Sequence, residues 1–411
     1  MNPLCNYFGY LFLSYCLVEN ESSTPAPVLG TPRSKIFSIE YQWQYINFTW
    51  PSYSAYKKAV NRRHYVPENV AITGIKYHRE YLYMALPQIR KGVPVTLGRI
   101  SLETSPKINP LVEPYPGWES NVRTKDCTSL QSVQNMEIDK HGIMWVLDGF
   151  RANNNTRCPP KLVLLDLNND GKEILSYIFP KDICATHGGH LKDIVVDDTH
   201  DGFAYITDNS VLDPGLIVYS RRQNRAWKLR DRTMFDEEDA AAFVVGNLTF
   251  KRLAPLDGIA LSPSHSKTGN KMLFYSPLAG MNLYSIKTKV LKNEKLIESG
   301  DWRRAIKVVG KKQGQSDGLI IDNKGNLFYT LPPLYGIGRW NINSQFSTAE
   351  VIAKDESMVW TGSFAFDNKG NLRLLTNNIN KFMDPAVQLE LTGEIMFKIF
   401  KHYTGTKSYL N

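Results

Sequence analysis

The chain has 411 residues, of which 42% are hydrophobic and 22% charged, the balance of an ordinary folded protein rather than a disordered or fibrous one. Its formal net charge is +9, yet the basic residues are spread out, with clusters at Arg221-Arg222-Gln223-Asn224-Arg225 and from Lys307 to Lys312. No stretch interleaves Arg and Lys with aromatic residues as a nucleic-acid surface does, so the charge reads as that of a basic protein drawn to anionic surfaces, and no nucleic-acid partner is expected.

The apolar run from Tyr7 to Val18, followed by Glu19-Asn20-Glu21-Ser22-Ser23, is too short to cross a bilayer and suits the core of a signal peptide. Residues 1–18 are therefore expected to be a leader, residues 19–38 a flexible segment, and the protein secreted and extracellular, with no membrane span. Asn-x-Ser/Thr sequons at Asn20, Asn47, Asn154 and Asn247 agree, and the last three are the expected glycosylation sites. Tyr41 to Phe48 alternates as a strand does and needs a partner.

From residue 73 onward a strand-turn-strand unit recurs. Its clearest copy runs from Asp317 to Pro332, where an apolar stretch reaches Asp322-Asn323-Lys324-Gly325-Asn326 and a second, aromatic-rich stretch follows. Further copies start at Thr73, Gln134, Asp193, Asp257 and Gly362, most of them spaced by about sixty residues, longer than the ~40–50 of common blade repeats and enough for four strands and a long loop. The prediction is an all-β fold, a six-bladed β-propeller of four-stranded blades over residues 39–403, with a tail at 404–411. Ile395 to Phe400 is the expected partner of the Tyr41 to Phe48 strand, so that both termini close the last blade and remove its edges.

In such a ring the starts of the first strands and the ends of the second meet at one rim of the central channel. By position that rim carries Thr73, Gln134, Asn135, Asp193, Asp257, Asp317 and Ser363 from strand starts, and Asp148, Asp208, Asn209, Thr376, Asn377 and Asn378 from strand ends. Converging carboxylates and amides there suit a cationic aromatic amine or a metal ion, although Asp before Gly also caps turns or ties neighbouring blades. Asp166-Leu167-Asn168-Asn169-Asp170-Gly171 imitates a calcium loop, but Tyr177 stands at its twelfth position, so a hairpin turn is expected. No zinc spacing, P-loop or nucleophile elbow is present, and neither a metal site nor a cofactor is predicted.

Tyr41-Gln42-Trp43, Phe48-Thr49-Trp50-Pro51-Ser52, Tyr65-Val66-Pro67-Glu68-Asn69 and Gly92-Val93-Pro94-Val95-Thr96-Leu97 resemble segments of the yellow and major royal jelly protein family of insects. Met144-Trp145-Val146-Leu147-Asp148, Cys158-Pro159-Pro160-Lys161-Leu162, Phe203-Ala204-Tyr205-Ile206-Thr207-Asp208 and Gly370-Asn371-Leu372 continue the match across most of residues 40 to 400. Two departures stand out: Arg373 replaces the usual aromatic, and His141-Gly142 stands where many members have a cysteine.

The resemblance implies a secreted propeller with roles in cuticle pigmentation and the melanin pathway, in nutrition, or in amine binding, with cuticle or extracellular matrix as a further partner. For a small aromatic amine or catechol it implies Asn377, with Thr361 beside the position of the family's Thr, and the rim adds Asp148, Asp208, Asn135 and Asp317 as ligand-binding candidates. Dopachrome conversion, also credited to the family, is a proton shift that needs a base, for which His190 is the candidate. A metal-dependent, lactonase-like hydrolase is a third reading, short of carboxylate ligands.

With Cys5 and Cys16 in the leader, Cys127, Cys158 and Cys184 remain. Cys127 and Cys158 flank the second copy's hairpin and could fall within bonding range, and family members keep cysteines in both contexts. Cys184 is then a free, partly exposed loop thiol, its pairing with either of the others being the open alternative.

Overall fold

The recurrent hairpin is closed by its own turn residues. The Asp322 carboxylate accepts from the backbone N–H groups of Lys324 and Asn326, at 2.9 and 2.8 Å, and from the Asn326 side chain at 2.8 Å. Gly325 takes φ +80°, a left-handed backbone open to it without a Cβ penalty. Asp367 does the same for Lys369 and Asn371 with Gly370 at φ +85°, and Asp139 for His141 and Ile143 with Gly142 at φ +77°.

The computed structural model describes residues 36–122, 126–151, 156–198, 202–264, 271–384 and 386–411. The predicted leader, nearly all of the 19–38 segment and the sequons Asn20 and Asn154 lie outside them. Each hairpin forms the inner half of a four-stranded antiparallel sheet, and six such sheets are present among the described residues. The first comprises Gly74–His78, Tyr81–Ala85, Leu97–Ser101 and Glu113–Pro114; the second Val133–Ile138, Ile143–Asp148, Lys161–Asp166 and Lys172–Ile178; the third Leu191–Asp197, Phe203–Asp208, Gly215–Ser220 and Arg225–Leu229. The fourth comprises Leu256–Leu261, Met272–Pro277, Asn282–Lys287 and Lys307–Lys311; the fifth Leu319–Ile321, Asn326–Leu331, Gly336–Asn341 and Glu350–Lys354; the sixth Trp360–Phe366, Asn371–Asn377, Phe397–Tyr403 and Ser38–Trp43. The innermost strands are neighbours around a common axis, making the predicted six-bladed propeller. Apolar side chains of adjacent blades pack between sheets, Leu147 and Leu164 of the second joining Ile194 and Ile206 of the third in one cluster. Burial on both faces is why Leu319–Ile321 and Leu256–Leu261 show no alternation.

Ring closure by the termini is as predicted, with Ser38–Trp43 pairing antiparallel to Phe397–Tyr403 as the outermost strand of the sixth blade. The N-terminal strand stops at Trp43 rather than Phe48 because the Asn109 side chain takes the Gln44 N–H at 2.9 Å, and the chain then runs beside Val112 of the first blade. Arg373 is buried in this closure. Its guanidinium bonds Glu40 of the N-terminal strand at 2.6 and 3.1 Å and Asp367 at 2.6 Å, and lies over the Tyr77 ring of the first blade.

Residues 404–411, expected as a tail, pack beneath the ring at the end where the hairpin turns lie. Ser408 bridges to Asp322, Tyr409 and Leu410 are buried, and the Tyr409 hydroxyl accepts the Val196 N–H at 2.9 Å. Cys127 and Cys158 form a disulfide with Cα atoms 5.5 Å apart, and Cys184 is free. Cys184 is buried rather than partly exposed, because Phe179 and Ile183 carry it into the core between the second and third blades. No helix among the described residues is long and apolar enough to cross a membrane.

Candidate functional site at the channel mouth

Four of the six inner strands share an irregularity at the same end. Their pairing slips between Val133 and Asn135, Leu191 and Asp193, Leu256 and Gly258, and Thr361 and Phe364. Each slip is a β-bulge, in which a residue without a partner in the ladder is re-aimed. The extra residues are Gln134, Lys192 and Asp257, with Gly362-Ser363 in the sixth blade. In the fifth blade Asp317 reaches the same level, its N–H and that of Gly318 each bonded to Thr330 Oγ1 at 3.0 Å. Polar side chains from separate blades thereby turn into the channel mouth.

The mouth is a cavity of about 380 Å3. Thr73, Gln134, Lys192, Asp257 and Asp317 line both it and a narrow space of about 20 Å3 further along the axis, so they form its floor. Its walls include Phe150, Phe250, Leu278, Trp360, Ile379 and Met383. Phe250 belongs to an extra hairpin, Ala242–Val245 with Leu248–Lys251, inserted between the third and fourth blades, where Phe243, Phe250 and Trp360 have ring centroids 4.9–5.9 Å apart. At the rim Val211, Leu212 and Leu253 are 47%, 94% and 55% exposed, an apolar collar beside the exposed His187 and Arg252.

Charge is concentrated on the floor. Lys192 Nζ donates to Asp317 Oδ1 at 2.6 Å and stands 3.2 Å from Asp257 Oδ1. Trp360 Nε1 donates to Asp317 Oδ2 at 2.7 Å, and Asn209 Nδ2 to Asp257 Oδ2 at 3.2 Å. Burial opposes the Lys192 charge, but the two carboxylates outweigh it and hold the ammonium above the ordinary lysine range. Burial pushes the Asp257 carboxyl well up, against the pull of Lys192 and with the help of Asp317. Along the channel, loss of solvent raises Asp193 to about 7, while Lys76 opposes the rise.

The ligand-binding candidates separate in space. Asn377 and Asp317 line the mouth. Asn135 lies deeper, donating to Asp193 at 2.8 Å. Asp148 is buried off the channel, accepting from Gln131 and Ser132 N–H and from Arg151, and Asp208 is buried likewise, bonded to Ser210 N–H and Lys228. Thr361 is fully buried beside the cavity wall, and it is position 362 that faces Asn377 and Asp317: a Cβ there would lie 3.6 and 3.8 Å from their side chains. His190 lies in the wall against Phe150, and burial with the Lys192 charge pushes it down to about 3, so the imidazole is neutral and is not a base titrating near pH 7. Strand position puts Asp257 at the rim but gives no sign of Lys192, Trp360 or Phe250. The bulge that aims Lys192 and the inserted hairpin that brings Phe250 leave no periodic signal.

Three residues that line this cavity each carry a buried polar atom without a well-formed hydrogen bond: Gln134 Oε1, His190 Nε2 and Asp257 Oδ1. Buried polar atoms are normally paired, so three such atoms on residues of one cavity single it out among the described residues as the candidate site.

A six-bladed propeller with one end of its axis covered by its own C-terminus and an aromatic, charged pocket at the other is the class of protein the fold defines. The family described as major royal jelly protein matches residues 131–402. The dopaminechrome tautomerase of Drosophila melanogaster is 27% identical over 385 residues, covering 88% of this chain and 81% of that protein. The protein yellow of Drosophila melanogaster is 24% identical over 369 residues, covering 86% and 67%. Among solved structures a luciferin-regenerating enzyme superposes with a TM-score of 0.47 at 9% identity, covering 82% of this chain and 92% of that one, and nothing is carried over from it. The chain belongs to the yellow and major royal jelly protein family.

Proposed function

We propose that the protein is secreted and acts in insect pigment chemistry by holding a flat, catechol-derived aromatic molecule in the channel mouth. The observation that carries this reading is the cavity itself, whose aromatic walls stand over a floor of two carboxylates and one ammonium. Such a floor complements a ring that bears hydroxyl, carbonyl or ammonium groups, and the name of the tautomerase relative supports the catechol class. The Cys127–Cys158 disulfide agrees with an oxidising, extracellular setting. Calorimetry with dopamine and serotonin tests it: one-to-one heat that Trp360→Ala abolishes is expected, and heat unchanged by that substitution places the ligand elsewhere.

A second reading, tautomerisation of an aminochrome, is favoured by Asp257 on the cavity floor, whose Oδ1 lies 3.2 Å from Lys192 Nζ and whose carboxyl burial raises well above the ordinary carboxylate range. Loss of the aminochrome faster than in buffer is the result it requires. The metal-dependent hydrolase is not carried forward, because the mouth's carboxylates already face Lys192 and no metal-holding group of three or more His, Cys, Asp or Glu occurs among the described residues.

A further inference from the structure

We propose that Asp257 is the proton carrier of the mouth pocket, that Lys192 supplies the positive charge beside it, and that Asp317 positions Lys192. The assignment rests on the tautomerase reading.

The two carboxylates are held differently. Asp317 is occupied on both oxygens, by Lys192 at 2.6 Å and by Trp360 at 2.7 Å. Asp257 is anchored at one end only, where Oδ2 accepts from Asn209, itself tied to the carbonyls of Pro255 and Leu256 at 3.0 and 3.1 Å. Its Oδ1 has no well-formed hydrogen bond and lies 3.2 Å from Lys192 Nζ, and the residue belongs to the cavity lining. The bulge between Leu256 and Gly258 is what swings this carboxyl out of the ladder. Around it stand Lys192 from the third blade, Asp317 from the fifth and the neutral His190, with Gln134 and Asp193 deeper along the channel. Two carboxylates facing one ammonium leave an excess negative charge when both are ionised, and burial disfavours the charged form of Asp257, raising its carboxyl above the ordinary carboxylate range.

An aminochrome has a saturated five-membered ring fused to an ortho-quinone. Its conversion to a dihydroxyindole moves protons from saturated ring carbons to quinone oxygens while the C–H electron pairs enter the ring. Carbon is oxidised and quinone reduced within one molecule, so no outside oxidant or reductant is needed. Ionised Asp257 accepts the proton as the C–H bond breaks, the charge that develops on a quinone oxygen falls beside Lys192, and the protonated carboxyl returns a proton to that oxygen. One such pass serves each oxygen.

The test follows dopaminechrome loss, corrected for the buffer rate, for the full chain and for Asp257→Asn. Removing a general acid–base typically lowers turnover about 10²–10⁴-fold. We expect a fall in that range for Asp257→Asn and partial recovery in Asp257→Glu, with the loss read mainly in the turnover number rather than in KM. A fast wild type with an equally fast Asp257→Asn overturns the assignment and leaves the tautomerase reading standing. A wild type no faster than buffer overturns both. Should Asp257→Asn fail to fold, the wild type decides alone: turnover must show a limb above the ordinary carboxylate range and slow when the saturated ring carbons carry deuterium, and absence of both effects overturns the assignment.

Discussion

Asn377 stands at the mouth as expected, but its side chain is committed to backbone. Nδ2 donates to the Ile72 carbonyl at 2.8 Å and Oδ1 accepts the Ile379 N–H at 3.2 Å. Asn377→Ala should therefore cost about 1–3 kcal/mol of stability through groups left unpaired, with any loss of ligand secondary. Thermal melts beside calorimetry separate the two, and an unchanged melt with weakened binding would reverse the order. Asp193 is the opposite case, since its carboxyl is raised to about 7. A carboxyl raised on folding holds its proton longer than in the unfolded chain, so stability falls as pH rises from about 4 to 7, and the full penalty applies above that. Asp193→Asn removes the charge but keeps an acceptor for Asn135. It should melt higher than wild type at pH 8, by about 1–3 kcal/mol in stability, with the gap closing toward pH 4. Equal melting at both pH values would refute this.

At the scale of the elements, the closing strand owes its seat to charge as well as to hydrogen bonds. Arg373 joins Glu40 and Asp367 in a site where the three side chains are only 4%, 11% and 2% exposed. Arg373→Met leaves Asp367 without its cation and Glu40 with only Lys401, 3.4 Å away, and should cost about 3–5 kcal/mol, read as an earlier thermal transition. The pH dependence follows from Asp367. Burial would raise its carboxyl, but the hydrogen bonds from Arg373 and Asn371 outweigh that and hold it below the usual range. A depressed carboxyl adds stability that is present above its unfolded value and lost as pH falls through the folded one. Wild type should accordingly lose stability below about pH 4, and Arg373→Met should lose less there. Acid branches of equal steepness would show that Asp367 is not held this way.

For the whole molecule, the C-terminal segment makes the channel a pocket with a single mouth. Tyr409 and Leu410 fill the turn end of the axis, and Asn323 N–H binds the Lys407 carbonyl at 2.9 Å. Deleting residues 404–411 strips a large buried aromatic from the axis and should cost about 3–5 kcal/mol. Ligand affinity at the mouth should stay unchanged, because no residue of that segment lines the cavity. Calorimetry on the folded truncation checks it: weakened binding would mean that the two ends of the axis are coupled.

How far the residues spoke for themselves follows from the range of the forces involved. The Asp-Asn-Lys-Gly-Asn turn, present at 322–326 and again at 367–371, is closed by hydrogen bonds within four residues of Asp322 or Asp367, so the hairpin it marks could be read directly and its weaker copies followed along the chain, and with them the propeller and the need for a strand from each terminus. The Cys127–Cys158 pair was legible for a similar reason, since the hairpin between them brings the chain back on itself. The site was not local. Lys192 meets Asp257 and Asp317 across blades, the latter 125 residues away, and it points inward because a bulge breaks the two-residue period by which strand faces are read. Asp148 and Asp208, at strand ends, share the expected rim with Asp317, at a strand start, yet Arg151 and Lys228 draw them into the blades. Sequence alone thus determined the ring and its closure, through turns that need only neighbouring residues. Which polar groups line the cavity, and which carboxyl pairs with which cation, was decided by tertiary structure, because side-chain direction at a bulge and the pairing of distant charges exist only once the blades have met.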